Sequence, residues 1–247
     1  MSGILIDIAD KTYVSGHDGE HRHHAIAGLH LEVPANQFAC LVGPSGCGKT
    51  TLLQMIAGLD NDFQGRIETD QGRQTPSIGY VFQNPRLLPW YTVRQNIELA
   101  FDRPPPPGLI DPLLACMQLA DVQHQYPERL SLGMQRRVAI IRAFAINPDI
   151  LLMDEPFVSL DAPTARQVRS LLYSLWLQRP HTVLFVSHDL REAIALADRL
   201  IFLSPPPMRI VGDIAVDIGR DRRHDEAAIE NFRERLLRNY PDINALL

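Results

Sequence analysis

The chain has 247 residues, 45% of them hydrophobic, enough for one large α/β domain or two small ones with a sizeable core. Lys and Arg number 24 against 29 Asp and Glu; the net charge of −5 argues against bulk attraction to nucleic acid, and the apolar runs fall short of the roughly 20 residues of a membrane span. With no secretory signal and no C-x-x-C pair among Cys40, Cys47 and Cys116, a reducing, cytosolic setting without a disulfide framework is expected.

Ile4 to Ile8 alternate as a strand, and Tyr13 follows it. Tyr13 has no obvious core period, so it reads either as a strand-edge tyrosine or as a ring that stacks on a nucleotide base. His17, His21, His23 and His24 fall in a polar, Gly-containing stretch read as an exposed loop. A metal site there is the weaker reading, because no Cys or carboxylate completes a ligand spacing. Leu29, Leu31 and Val33 alternate as a second strand.

The run Gly43, Pro44, Ser45, Gly46, Cys47, Gly48, Lys49, Thr50 and Thr51 fits G-x-x-x-x-G-K-[ST], between a strand-like Phe38–Val42 and a helix-like Leu52–Ala57. Such a loop turns successive N–H groups inward at a helix start, which makes a nest for phosphate oxygens. Lys49 then reaches the β/γ-phosphates and the Thr50 hydroxyl ligates Mg²⁺. Cys47 lies inside the loop, so alkylation is expected to block ATP binding and ATP to protect the thiol.

Gly65 to Glu68 begin what reads as another short strand pair, ending in Ile78 to Phe82. Gln83 follows directly, at the strand end that faces the ligand crevice of an open α/β sheet, where it senses Mg²⁺ or the attacking water. Residues 84–148 then carry helix-length patterns, Val93 to Phe101 and Leu109 to Leu119, around Pro104 to Pro107, and read as a helical insertion with a stiff surface loop. Ser131 is placed to cap the helix that begins after it.

Ile150 to Met153 read as a buried strand that presents Asp154 and Glu155 at its C-terminal end, with Asp154 beside Mg²⁺ and Glu155 left to orient and deprotonate water. Ser159 to Asp161 lead into a helix through Leu177. The next strand, Thr182 to Val186, delivers His188 as a γ-phosphate contact. A helix from Leu190, strands near Leu200 and Gly212, and an amphipathic terminal helix carrying Ile229, Phe232, Leu236, Leu237 and Tyr240 complete the chain.

With these placed, the chain resembles the ATP-binding cassette (ABC) transporter ATPases over nearly its whole length. Gly43 to Thr51 match the Walker A loop, Gln83 the Q-loop, Ser131 to Gln135 the signature, Ile150 to Glu155 Walker B, Ser159 to Asp161 the D-loop and His188 the H-loop; Tyr13 falls where that family has its adenine-stacking aromatic. The resemblance implies a single ABC ATPase domain over 1–247: a RecA-like P-loop NTPase core, an antiparallel β subdomain, an inserted helical subdomain over 84–148 and a C-terminal extension over 213–247. It implies ATP hydrolysis with Mg²⁺ on Thr50, Gln83 and Asp154, Glu155 as general base, and His188, Gln83 and Lys49 completing the catalytic set. A second cassette, identical or not, would supply Ser131, Gly133 and Gln135 in trans. Leu132 stands where the family usually has Gly, which predicts a weaker trans phosphate contact in a homodimer or an intact signature from a different partner.

Leu87 to Val93, His188 to Arg199 and Leu203 to Pro205 resemble the importers for nitrate, sulfonate, taurine and bicarbonate. That likeness implies a peripheral place on the cytoplasmic face of the membrane through a permease, and an extracytoplasmic solute-binding protein as an indirect partner. A soluble ABC-type ATPase of a non-transport assembly is the alternative, and a P-loop kinase is disfavoured because no acceptor site is evident.

Overall fold

The computed structural model describes residues 3–15, 21–69, 76–158, 160–244 and 246. Elements in chain order are β1 (Ile4–Ser15), β2 (His21–Val33), β3 (Phe38–Val42), α1 (Lys49–Ile56), β4 (Gln64–Thr69), β5 (Ile78–Val81), α2 (Val93–Glu98), α3 (Ile110–Cys116), α4 (Leu132–Ala145), β6 (Ile150–Asp154), α5 (Ala162–Gln178), β7 (Thr182–Val186), α6 (Leu190–Leu196), β8 (Arg199–Leu203), β9 (Ile210–Ala215) and α7 (Glu226–Asn239). They fall into two compact units, one of residues 1–74 with 182–247 and one of residues 75–181.

The first unit holds an antiparallel sheet in the order β2-β1-β4. Its strands alternate: Ile4, Ile6 and Ile8 on β1 and Leu29, Leu31 and Val33 on β2 are buried, while His30 and Glu32 between them face out. In the same unit β3 pairs in parallel with both β7 and β8, and β9 adds antiparallel to β8. Every residue of β3 and β7 is buried, the continuous apolar pattern of strands covered on both faces. On α7, Ile229, Phe232 and Leu236 are buried in the expected amphipathic period, while Tyr240 lies beyond the helix and is exposed.

In the second unit β5 and β6 pair in parallel, and α2, α3, α4 and α5 belong with them. The two first helices are shorter than their apolar patterns predict. The α2 helix stops at Glu98 before the Pro104–Pro107 run, and α3 spans only Ile110–Cys116, with Gln118 in a left-handed conformation at φ 55°.

Two other expectations change. Gly65 to Glu68 do not pair with Ile78 to Phe82: β4 lies against β1, and β5 against β6. His23 and His24 sit on β2 opposite Tyr13 and Thr12, not in a loop, because the hairpin ladder runs to His21; His17 lies outside the described residues. His24 Nε2 is 2.5 Å from Asp10 Oδ1. Among the described residues no group of three or more His, Cys, Asp or Glu is placed to hold a metal ion.

Candidate functional site

The phosphate loop leaves β3 at Gly43 and ends where α1 begins. Gly48 caps that helix at φ 107°, a left-handed conformation that glycine adopts without the penalty a Cβ would bring. Cys47 N–H bonds to the Pro44 carbonyl at 3.3 Å and closes the turn. Lys49 is only 6% exposed, and its ammonium donates to the carbonyls of Gly43 (2.7 Å) and Pro44 (2.8 Å). The loop therefore holds its cation inward, on the same backbone that would cradle a phosphate. Cys47 is 0% exposed, its Sγ 3.8 Å from Lys49 Nζ, which corrects the expectation of an accessible thiol: the side chain points into the core beneath the loop.

Tyr13 is 39% exposed on β1, and its hydroxyl lies 3.2 Å from both Thr51 Oγ1 and Asp60 Oδ2. Lys11 Nζ sits 4.5 Å from the ring centroid, a cation–π distance, and donates to Asp60 at 2.9 Å and to the Asp62 carbonyl at 2.6 Å. Tyr13 is thus braced against the end of the loop. Burial would raise the Asp60 carboxyl, but hydrogen bonds from Lys11, the Asp62 N–H and Tyr13 outweigh it and hold the group below the ordinary carboxylate value.

At the end of β7, buried Ser187 donates to Glu192 Oε2 at 3.0 Å, and Asp189 caps α6 by accepting from the N–H groups of Arg191 and Glu192. Exposed His188 stands between these two anchored neighbours.

The second unit carries the carboxylates. Asp154, 3% exposed, ends β6, and Glu155 follows with φ 47°, left-handed for a residue with a Cβ. Gln83 Nε2 donates to Glu155 Oε2 at 3.0 Å, so the structure brings these two predicted residues together. Behind them the Tyr80 phenol is pushed well above its ordinary value, by burial first and by the Asp154 charge second. The segment after Gln83 is braced by Arg142, which donates to the carbonyls of Pro85 (2.8 Å) and Arg86 (3.0 Å). Asn96 fixes the next turn: wholly buried, it accepts from the Leu88 N–H and donates to the carbonyls of Leu88, Tyr91 and Thr92. Neither residue was a candidate from sequence: Arg142 acts on backbone more than fifty residues away, and Asn96 looks like an ordinary helical residue until the turn before it is seen.

In the signature segment Ser131 caps α4 by accepting from Met134 N–H at 3.3 Å. Gln135 Nε2 is committed to the carbonyls of Pro127 and Leu130, so that amide braces its own turn. At Gly133 an added Cβ would lie 3.3 Å from Leu160 and from Thr164, whereas neighbouring Leu132 is 42% exposed. Asp161 caps α5 through Thr164, whose hydroxyl and N–H hold the carboxyl below its usual value. Ser159 lies outside the described residues.

A model for the ABC transporter family matches residues 26–158, which take in the phosphate loop, Gln83, the signature and both carboxylates. The chain belongs to this family. Among its relatives, the aliphatic sulfonates import ATP-binding protein SsuB of Bacillus licheniformis is 39% identical over 228 residues, covering 90% of this chain and 89% of that one. The protein of the same name from Bacillus subtilis is 35% identical over 242 residues, 96% of this chain and 94% of the other. Among solved structures, a dimeric ATP-binding cassette in a post-hydrolysis state with ADP and Pi matches with a TM-score of 0.74 at 28% identity, over 87% of this chain and 100% of that one. Membership makes the chain an ATP-binding, ATP-hydrolysing subunit with the α/β fold of the P-loop NTPases. Within the second unit Gln83 and Asp154 offer amide and carboxylate oxygens, a donor chemistry that suits Mg²⁺.

Proposed function

We propose that the chain is the ATPase subunit of a membrane importer for aliphatic sulfonates or similar small anions. The observation that carries this reading is that relatives at 35% to 39% identity, matched nearly end to end, bear the name of sulfonate import ATP-binding proteins. Those relatives also favour transport over a soluble, non-transport assembly. Among the described residues no helix is long and apolar enough to cross a membrane, in keeping with a subunit held at the cytoplasmic face by a permease. The extracytoplasmic solute-binding protein is an indirect partner.

In this reading Gly43 to Thr51 bind the ATP phosphates with Lys49 as their cation, and Tyr13 stacks on the adenine. Thr50, Gln83 and Asp154 hold Mg²⁺, which neutralises charge on the phosphates. Glu155 takes the proton of the attacking water on its carboxylate, and His188 contacts the γ-phosphate. Ser131 and Gly133 serve the nucleotide of a second cassette, and Gln135 braces the turn that presents them. Residues 84–148 form the inserted helical subdomain, the residues around Gln83 to Trp90 form part of the groove that receives a coupling helix of the permease, and residues 213–247 form a C-terminal extension.

The test is purification of the tagged full-length chain from detergent-solubilised membranes, together with growth of a deletion strain on an alkanesulfonate as sulfur source. A co-purifying permease and a growth defect rescued by the gene are expected. Recovery of the chain without any membrane protein sinks the transport reading, and normal growth with a permease bound overturns only the solute.

A further inference from the structure

Resting on the reading of Glu155 as general base, we infer that Arg136 is a positioning residue that holds the backbone from which the Glu155 carboxylate projects. Arg136 lies on α4, one residue beyond the signature, and is 5% exposed. Its Nη1 donates to the Glu155 carbonyl at 3.2 Å, while its Nε is buried without a hydrogen-bond partner. Guanidinium groups stay charged, and a buried cation is costly unless its surroundings compensate it. Packing alone would be served by Met, so what the charge and its fork of donors do locally is what sets this side chain apart.

What they do is grip a strained peptide. Glu155 adopts φ 47°, and that left-handed turn aims its carbonyl at α4, where it accepts from Arg136 as well as from Val158 N–H at 3.3 Å. The backbone of a residue decides where its Cβ and carboxylate point. Arg136 thus fixes the base at its root, as Gln83 fixes it at its tip with the 3.0 Å contact to Oε2. A misplacement of about 1 Å in such a group costs on the order of 10²-fold in rate.

The experiment measures ATP hydrolysis and ATP binding by the full-length chain carrying Arg136→Met, Arg136→Lys, Glu155→Gln, or Arg136→Met with Glu155→Gln. Arg136→Met is expected to lower kcat by up to about 10²-fold with KM for ATP unchanged, and Arg136→Lys to recover much of the loss by keeping a charged donor. In the Glu155→Gln background Arg136→Met should remove nothing further, because the group it positions is already gone. If the double variant loses the same factor again, or if Arg136→Met turns over normally while Glu155→Gln does not, the positioning role is overturned. If Glu155→Gln itself turns over normally, the general-base reading falls instead. Should Arg136→Met fail to fold, Arg136→Leu, which also lacks a donor, takes its place under the same criteria.

Discussion

The side-chain amide of Gln83 donates to the carboxylate of Glu155 at 3.0 Å, joining the residue that follows β5 to the one that follows β6. A carboxylate held this way accepts at one oxygen from the amide and loses rotational freedom. Glu155→Gln preserves the shape and removes the base. We expect ATP binding to persist and turnover to fall by about 10²–10⁴, the usual contribution of a general base. Parallel measurement of nucleotide affinity and steady-state hydrolysis checks it, and near-normal turnover rules the role out.

The candidate site was open to a sequence reading because its proposed residues follow strand-like runs. Buried strands such as β3, β6 and β7 announce themselves as unbroken apolar runs, and the segments at their C-terminal ends are where a sequence reading looks for ligand contacts. Strand pairing was less legible: nothing in Gly65 to Glu68 tells β1 from β5 as a partner, since the ladder is set by contacts distant along the chain. The same holds for Arg136, Arg142 and Asn96. Each is an ordinary helical residue by pattern; a tertiary contact brings a backbone carbonyl to Arg136 and Arg142, and the fold of the preceding turn brings carbonyls to Asn96.

Lys11 is a buried cation whose partners, Asp60 and the Asp62 carbonyl, lie about fifty residues further along the chain. Lys11→Met leaves the half-buried Asp60 carboxylate short of its main donor and is expected to destabilise the fold by about 1–3 kcal/mol at neutral pH. The folded Asp60 value is lowered, so its contribution is present above the unfolded carboxylate value near ~3.9 and is lost as pH falls through the folded value. The gap between the wild-type and Lys11→Met stabilities should therefore narrow on acidification below pH ~4. Denaturant unfolding at several pH values measures it; a gap independent of pH would falsify the role of the Lys11–Asp60 pair.

Cys40 and Cys47 are wholly buried, and only Cys116 is partly exposed. Burial raises the Cys116 thiol above its ordinary value, so the reactive thiolate is scarce at neutral pH and grows as pH rises. Intact-mass analysis after iodoacetamide treatment should show a single slow addition, faster at higher pH and unaffected by ATP. Cys40 and Cys47 should react only in denaturant. A second addition to the native chain that ATP suppresses would mean that the phosphate loop opens enough to expose Cys47.

Leu132 begins α4 beside Gly133, and the two positions differ in a way that bears on partnership. A Cβ at Gly133 would press on Leu160 and Thr164 within its own unit, whereas the Leu132 side chain is 42% exposed and meets whatever approaches the helix start. If a second copy of this chain brings its ATP phosphates to that helix start, the leucine keeps backbone N–H groups at a distance that glycine would not. One charge-assisted hydrogen bond regained corresponds to about 1.5–3 kcal/mol, so Leu132→Gly should raise the turnover of the reconstituted transporter by about tenfold or more. Helix stability should suffer little, since an end position loses at most about 0.5–1 kcal/mol to glycine. Unchanged turnover would remove the leucine as a brake in a homodimer. It would favour instead a pair in which a different cassette supplies the signature that completes the Lys49 side.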